Sequence, residues 1–180
     1  MPVKPPKLLS REALLEYAAR ALTSRGLSLN ELRLRLQRRA ARKEDVPEVI
    51  AKLKEAGFLN DRRLADSIAG WRRDNQGLGK TRVMRDLMSR RIAPAVARQA
   101  ADAAYSGVDE VAMIEQFLER KYRGKNLGEL LAEDKHLASA FRKLRQAGFS
   151  AGNSIRVLKR FAAEADRLEE MPEDDEQNPQ

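Results

Sequence analysis

The chain contains one histidine, His136, and no cysteine, so a thiolate metal site, a disulfide framework and a cysteine nucleophile are excluded by composition. No paired-carboxylate spacing stands beside His136 to complete a metal site or a nucleophile-base pair. Glu115 and Glu119 lie one helical turn apart, but with a single histidine the chain cannot supply the two Glu-x-x-His pairs that a helical two-metal site needs. These two acids, with Asp66 and Asp86, are read as helix-surface charges that neutralise nearby Arg and Lys. Gly79-Lys80-Thr81 matches the end of a phosphate loop, yet the first glycine of that motif would fall on Asp74 and no strand signal precedes it. The expectation is a protein with no catalytic residue, no metal and no cofactor, and therefore not an enzyme.

What the chain does carry in quantity is fixed positive charge. Arg33, Arg35, Arg38, Arg39, Arg42 and Lys43 form one group; Arg72, Arg73, Lys80, Arg82, Arg85, Arg90 and Arg91 form a second; Arg120, Lys121, Arg123 and Lys125 form a third. The net charge of +8 conceals six acids, Glu169, Glu170, Glu173, Asp174, Asp175 and Glu176, crowded near the C-terminus with no base among them. The rest of the chain thus holds about +14 and should attract polyanions, either nucleic acid or an acidic protein surface. Three cationic groups on one scaffold favour a shared anionic partner. The residues expected to contact it are Arg35, Arg38, Arg39, Arg72, Arg73, Lys80, Arg82, Arg85, Arg90, Arg91, Arg120, Lys121 and Arg123.

These cations must be positioned by helices. Of the 180 residues 42% are hydrophobic and only 5% aromatic, and Leu, Ala, Arg and Glu dominate, which favours an all-α fold with very little sheet. Apolar residues recur at helical spacing in short bursts separated by turn signals. A first helix from Ser10 carries Leu14, Tyr17, Ala18, Ala21 and Leu22 and stops at Arg25-Gly26, where a left-handed cap is expected. Ser28 and Glu31 make a capping box for a second helix with Leu29, Leu32 and Leu36 on its inner stripe. A third, with Pro47 in its first turn, presents Val49, Ile50, Leu53 and Ala56. Asn60 or Asp61 caps a helix whose apolar face is Leu64, Ile68 and Trp71. A break at Gln76 to Gly79 separates it from Val83, Met84, Leu87 and Met88, and Pro94 opens the next helix.

Superposing Leu32 and Leu36 on Val83 and Leu87 gives a period of about 50 residues, the pattern of tandem helical units that cannot bury their faces alone. A third unit begins at Ser106 and Asp109, read as another capping box, with Val111, Ile114, Phe117 and Leu118; residues 124 to 134 read as a loop or short turn, and Leu137, Phe141, Leu144, Ile155, Leu158, Phe161 and Ala162 follow. The resulting plan is a disordered segment at 1–9, three-helix repeats at 10–59, 60–105 and 106–167, and a disordered acidic tail at 168–180. Lys52 to Phe58 and Lys143 to Phe149 share one helix-glycine-aromatic stop, in which Gly takes positive φ and Phe covers the last turn. Trp71 is read as a packing anchor, with base stacking as the alternative, and the same alternatives stand for Tyr105 and Tyr122.

The order of these motifs resembles the RecX family of recombinase regulators. The likeness covers roughly residues 14 to 165 and rests on Leu27 to Leu32, on Gly57-Phe58-Leu59-Asn60-Asp61 with Leu64-Ala65, on Gly77 through Leu87, and on Ala147-Gly148-Phe149-Ser150 followed by Ile155. The family differs in placing an aromatic at Leu64, a glycine before the aliphatic residue at Arg91-Ile92, and a shorter link at Arg39 to Glu44. The resemblance implies a curved array of three-helix repeats. It also implies a cytoplasmic monomer that binds the RecA recombinase filament and the backbone of single- and double-stranded DNA, modulating and usually inhibiting recombinase, ATPase and co-protease activities in recombination, DNA repair and the SOS response. Nothing resembles a signal peptide or a membrane span. The rival reading is a stand-alone DNA-binding module with Leu29 to Arg42 as a recognition helix. The acidic tail is read as a solubility tail, with internal mimicry of DNA as the alternative.

Overall fold

Side-chain caps show why several of the helices begin where they do. The computed structural model describes residues 8–162 and Ala165, which fall into two compact units, one holding the chain up to Arg72 together with Val83–Ser106, the other Arg73–Arg82 together with the chain from Gly107. The all-α expectation holds: ten named helices cover most of the described residues, and Leu9 forms an isolated parallel bridge with Ala40. The segments expected to be disordered, 1–9 and 168–180, lie outside the described residues except for Leu8 and Leu9. Leu9 is held by two backbone hydrogen bonds, to the Arg39 carbonyl and from the Ala41 N–H. No helix among the described residues is long and apolar enough to cross a membrane.

In the first unit, α1 (Arg11–Ser24), α2 (Leu29–Gln37) and α3 (Asp45–Glu55) surround a core of Leu14, Ala18, Leu32, Leu36, Val46, Val49, Ile50, Leu53 and Leu59. Ser10 caps α1, and the Ser28–Glu31 capping box is complete, each side chain bonding the other's backbone. The expected left-handed cap at Gly26 is not formed. Arg25 ends α1 in extended backbone and Gly26 does not take positive φ; a Cβ there would come 2.8 Å from the Leu64 Cδ1, the mobile end of a side chain that would have to shift. Ala56 is exposed, so the inner face of α3 ends at Leu53.

The chain passes between the units within α4 (Asp61–Gln76) and again within α5 (Lys80–Ser89). Asn60 is the cap of α4, accepting from the Arg63 N–H at 3.0 Å; the Asp61 carboxylate instead accepts from the Leu29 N–H at 2.7 Å. Helix α4 buries Ala65 and Ala69, which displaces the expected stripe: Leu64 and Ile68 are half-buried and Trp71 is 52% exposed, so the reading of Trp71 as a core anchor is overturned. After Ile92, Pro94 opens α6 (Pro94–Ala104), which buries Ala97, Ala100 and Ala101.

The second unit contains α7 (Glu110–Lys121), α8 (Leu127–Leu131), α9 (Asp134–Gln146) and α10 (Ala151–Leu158) around Ile114, Leu118, Leu131, Phe141, Leu144, Phe149, Ile155 and Leu158. Two expectations are corrected here. Asp109 alone caps α7, accepting from the Val111 and Ala112 N–H groups, and Ser106 takes no part. The stretch read as a loop contains α8, nucleated by Asn126 bonding the Gly128 and Glu129 N–H groups and anchored by the fully buried Leu131.

The helix-glycine-aromatic stop occurs twice with the same hydrogen bonds. Gly57 (φ +73°) donates to Lys54 and Phe58 to Leu53; Gly148 (φ +91°) donates to Arg145 and Phe149 to Leu144. The aromatics part company. Phe149 is wholly buried and meets Phe117 edge-on at 5.6 Å, whereas Phe58 is 63% exposed and does not cover its helix end. A third stop of the same pattern closes α5: Arg91 donates to Met88 and Ile92 to Leu87, with Arg91 at φ +58°, the conformation a glycine takes most easily.

Candidate nucleic-acid interface

Helix α2 shows how the first cationic group is displayed. Its N-terminus is fastened at several points. The buried Ser28 hydroxyl donates to the Arg90 carbonyl at 2.6 Å, the Asn30 amide to the Arg91 carbonyl at 3.0 Å, and Arg25 pairs with Glu31 at 2.7 Å. With Leu32 and Leu36 buried, the other sides of α2 carry Arg33, Arg35 and Gln37, and Arg38 follows directly; all four are exposed. No acid lies between Arg33 and Lys43, and at the edge of this segment Arg42 pairs with the buried Asp45 at 2.8 Å. Arg39 lies over the Tyr17 ring at 4.9 Å from its centroid, a stacked position that fixes the side chain. Arg35 and Arg38 are therefore the expected contacts that the fold presents most openly in this group.

The second group is divided between the two units. Arg72, Arg85, Arg90 and Arg91 belong to the first, and Arg73, Lys80 and Arg82 to the second. Arg72 pairs with Asp86 at 3.3 Å and lies over the Trp71 ring at 5.7 Å. Arg90 donates to the Gly26 carbonyl and to Glu31 at 3.3 Å, so it holds the α1–α2 connection to the end of α5. Its chemistry here is structural. Arg85 is half-buried, and Arg91 is exposed at its positive-φ position. The acids Asp66, Asp86 and Glu115 neutralise neighbouring cations as read from the sequence: Asp66 pairs with Arg62 at 3.2 Å, Asp86 with Arg72, and Glu115 with Arg160.

In the second unit, Lys80 and Arg82 are exposed in the first turn of α5. The N–H groups of Gly79 and Thr81, which a phosphate loop would direct at an anion, donate to the Ala147 and Gly148 carbonyls at 2.8 and 3.2 Å. The glycines permit this approach, since a Cβ on Gly79 would overlap the Gly148 carbonyl and one on Gly148 the Arg82 backbone. Arg73 holds Asp74 at 2.6 Å, keeping its carboxyl below the usual range, and Arg120 donates to the Gln76 carbonyl at 3.0 Å across Gly77. Arg73, Asp74, Gly77, Val108, Met113, Gln116 and Arg120 line an open cleft of about 330 Å³. The sequence offered no signal for Met113 or Gln116 in this role. Lys121 at the end of α7 and Arg123 just after it are exposed.

Glu110 fixes the start of α10. Its carboxylate accepts from the Ser150 N–H at 2.9 Å, the Ser150 hydroxyl at 2.5 Å and the Asn153 amide at 2.5 Å. Burial pulls its pKa upward, but hydrogen bonds from Ser150 and Asn153 outweigh that and leave it below the ordinary glutamate value.

No family model matches the chain. It is similar to regulatory protein RecX of Deinococcus radiodurans, at 40% identity over 80 residues, which is 44% of this chain and 37% of that protein. It is similar also to regulatory protein RecX of Trichlorobacter lovleyi, at 27% identity over 107 residues, 59% of this chain and 70% of that one. The match thus spans little more than a third of the length of the Deinococcus relative. The fold is that of the crystal structure of RecX from Lactobacillus salivarius, with a TM-score of 0.65 at 16% identity over 84% of this chain and 96% of that one. A second crystal structure, of regulatory protein RecX, gives a TM-score of 0.60 at 15% identity over 82% and 72% of the two chains.

Proposed function

We propose that this chain, which belongs to the RecX family, acts in the bacterial cytoplasm as a non-catalytic regulator that binds the RecA filament on DNA and restrains recombinase, ATPase and co-protease activity. The observation that carries the reading is the likeness to two regulatory proteins RecX in sequence, joined to the same all-α fold. The exposed cations Arg35, Arg38, Lys121 and Arg123 supply contacts for the phosphate backbone, and the remaining surface contacts recombinase. Such a regulator must bind one filament state better than another, since equal affinity for both shifts nothing.

The test is the DNA-dependent ATPase of the RecA from the same organism with the full chain titrated in. Loss of turnover well below one chain per recombinase supports control of filament ends or growth; loss only near equivalence supports coating. No change in turnover, alongside tight binding to bare DNA, would replace this reading with a stand-alone DNA-binding protein.

A further inference from the structure

Helix α4 carries two features that bear on what its exposed side can bind. One is Trp71, the sole tryptophan, 52% exposed on a protein whose sequence pI is about 10. The other is Gly70, next to it in the helix interior. Gly70 does not have positive φ, and a Cβ placed on it would meet nothing within 4 Å. A helix-interior glycine costs stability relative to alanine, and neither backbone conformation nor neighbouring atoms explain this one. Arg63, Ser67, Gly70 and Trp71 stand at i, i+4, i+7 and i+8 and so share one side of the helix, where Arg63, Ser67 and Trp71 are exposed. The Arg72 guanidinium lies over the indole, and Arg63 spends one of its five N–H groups on the Gly57 carbonyl at 3.1 Å.

We infer that this side of α4 is a stacking platform for single-stranded nucleic acid. An unpaired base lies on the exposed part of the Trp71 ring, the strand runs close over the flat floor at Gly70, and Arg63 contacts a flanking phosphate. An aromatic ring with the Arg72 guanidinium over it, on a helix side that also carries Arg63, suits a base and its phosphate, because the base has a π-face and the strand a negative charge at each nucleotide. The paired bases of a duplex are stacked on one another and offer no such face, so the platform gives a preference for single strands that phosphate contacts alone cannot. The inference rests on the reading that the chain works on DNA-bound filaments. It is tested without recombinase, so its failure is separable from failure of that reading.

Trp71 emission from the full chain reports directly on the site. The chain is titrated with an oligothymidylate and with an abasic strand of the same length, while anisotropy of the labelled strands gives affinities for wild type, Trp71→Phe, Trp71→Ala and Gly70→Ala. Oligothymidylate should quench the emission and the abasic strand should not. Trp71→Ala should weaken oligothymidylate binding about tenfold and leave the abasic strand unaffected, with Trp71→Phe between. Gly70→Ala should raise the melting temperature yet weaken oligothymidylate binding. Equal quenching by both strands, or unchanged affinity of Trp71→Ala, overturns the platform. Unchanged affinity of Gly70→Ala overturns the role of the glycine. Trp71→Ala that loses recombinase binding while keeping strand affinity would assign the face to a protein partner and overturn the inference as well.

Discussion

Adding one methyl group at Gly148 and one at Gly57 should have very different consequences, although the two glycines end their helices with the same hydrogen bonds. At Gly57 the positive φ is the whole cost. A Cβ there meets open space, so Gly57→Ala should lose about 1 kcal/mol. At Gly148 the same backbone cost applies, but the methyl would also overlap the Arg82 backbone at the first turn of α5. That turn must then move away, stretching the Gly79 and Thr81 hydrogen bonds to the Ala147 and Gly148 carbonyls, worth roughly 1 kcal/mol each. Overpacking a closed site adds about 1–3 kcal/mol if the bonds hold instead. Gly148→Ala should therefore cost roughly 2–4 kcal/mol, about 1–3 kcal/mol more than Gly57→Ala, or a further fall of about 2–12 °C in melting temperature. Urea denaturation followed by far-ultraviolet circular dichroism gives the two stabilities, and amide hydrogen exchange reads Gly79 and Thr81 individually. Equal costs for the two variants, with both amides still protected in Gly148→Ala, would refute the argument that close backbone approach fixes this glycine.

Arg91→Gly should stabilise the protein by roughly 0.5–1 kcal/mol, because about 1–2 kcal/mol of left-handed strain exceeds the unfolded-state entropy that glycine adds; a lowered melting temperature would count against it. Glu110 binds a proton less readily folded than unfolded, so its contribution is complete above its ordinary value of 4.5 and fades as pH falls through the lower folded value. Glu110→Gln should flatten the acid limb of a stability-pH profile, and an unaltered limb would contradict this. Replacing Arg35 and Arg38 with Ala should reduce the salt slope of DNA affinity by about 1 each. Arg90→Ala should instead leave that slope unchanged and lower stability by about 1–3 kcal/mol, by removing the donor to Glu31 and the Gly26 carbonyl. A slope that responds to Arg90 and not to Arg35 or Arg38 would reverse these assignments.

Local rules in the sequence determined a good deal of this protein. Ser10, Ser28 with Glu31, Pro94, Gly57 and Gly148 set helix ends through neighbours only a few residues away, so their types and spacing were enough to place them. The stripes of Leu32 with Leu36 and Ile114 with Leu118 were legible for the same reason, since the period of a helix is a property of the chain itself. Charge was legible only as composition. Arg35, Arg38, Arg39 and Arg90 look alike in the sequence, yet two are exposed, one stacks on Tyr17 and one ties α1 and α2 to the end of α5. Trp71 shows the same limit: Ala65 and Ala69 offered a competing stripe one residue removed from Leu64 and Ile68, and periodicity cannot choose between a bulky stripe and a small one. Phe58 and Phe149 close identical stops, and only the neighbours packed against them decide that one is solvated and the other enclosed. Hydrogen-bonded helix ends are local and so are written in order along the chain. Which side chain is buried, paired or presented depends on partners brought together from distant positions, and that was settled by tertiary packing.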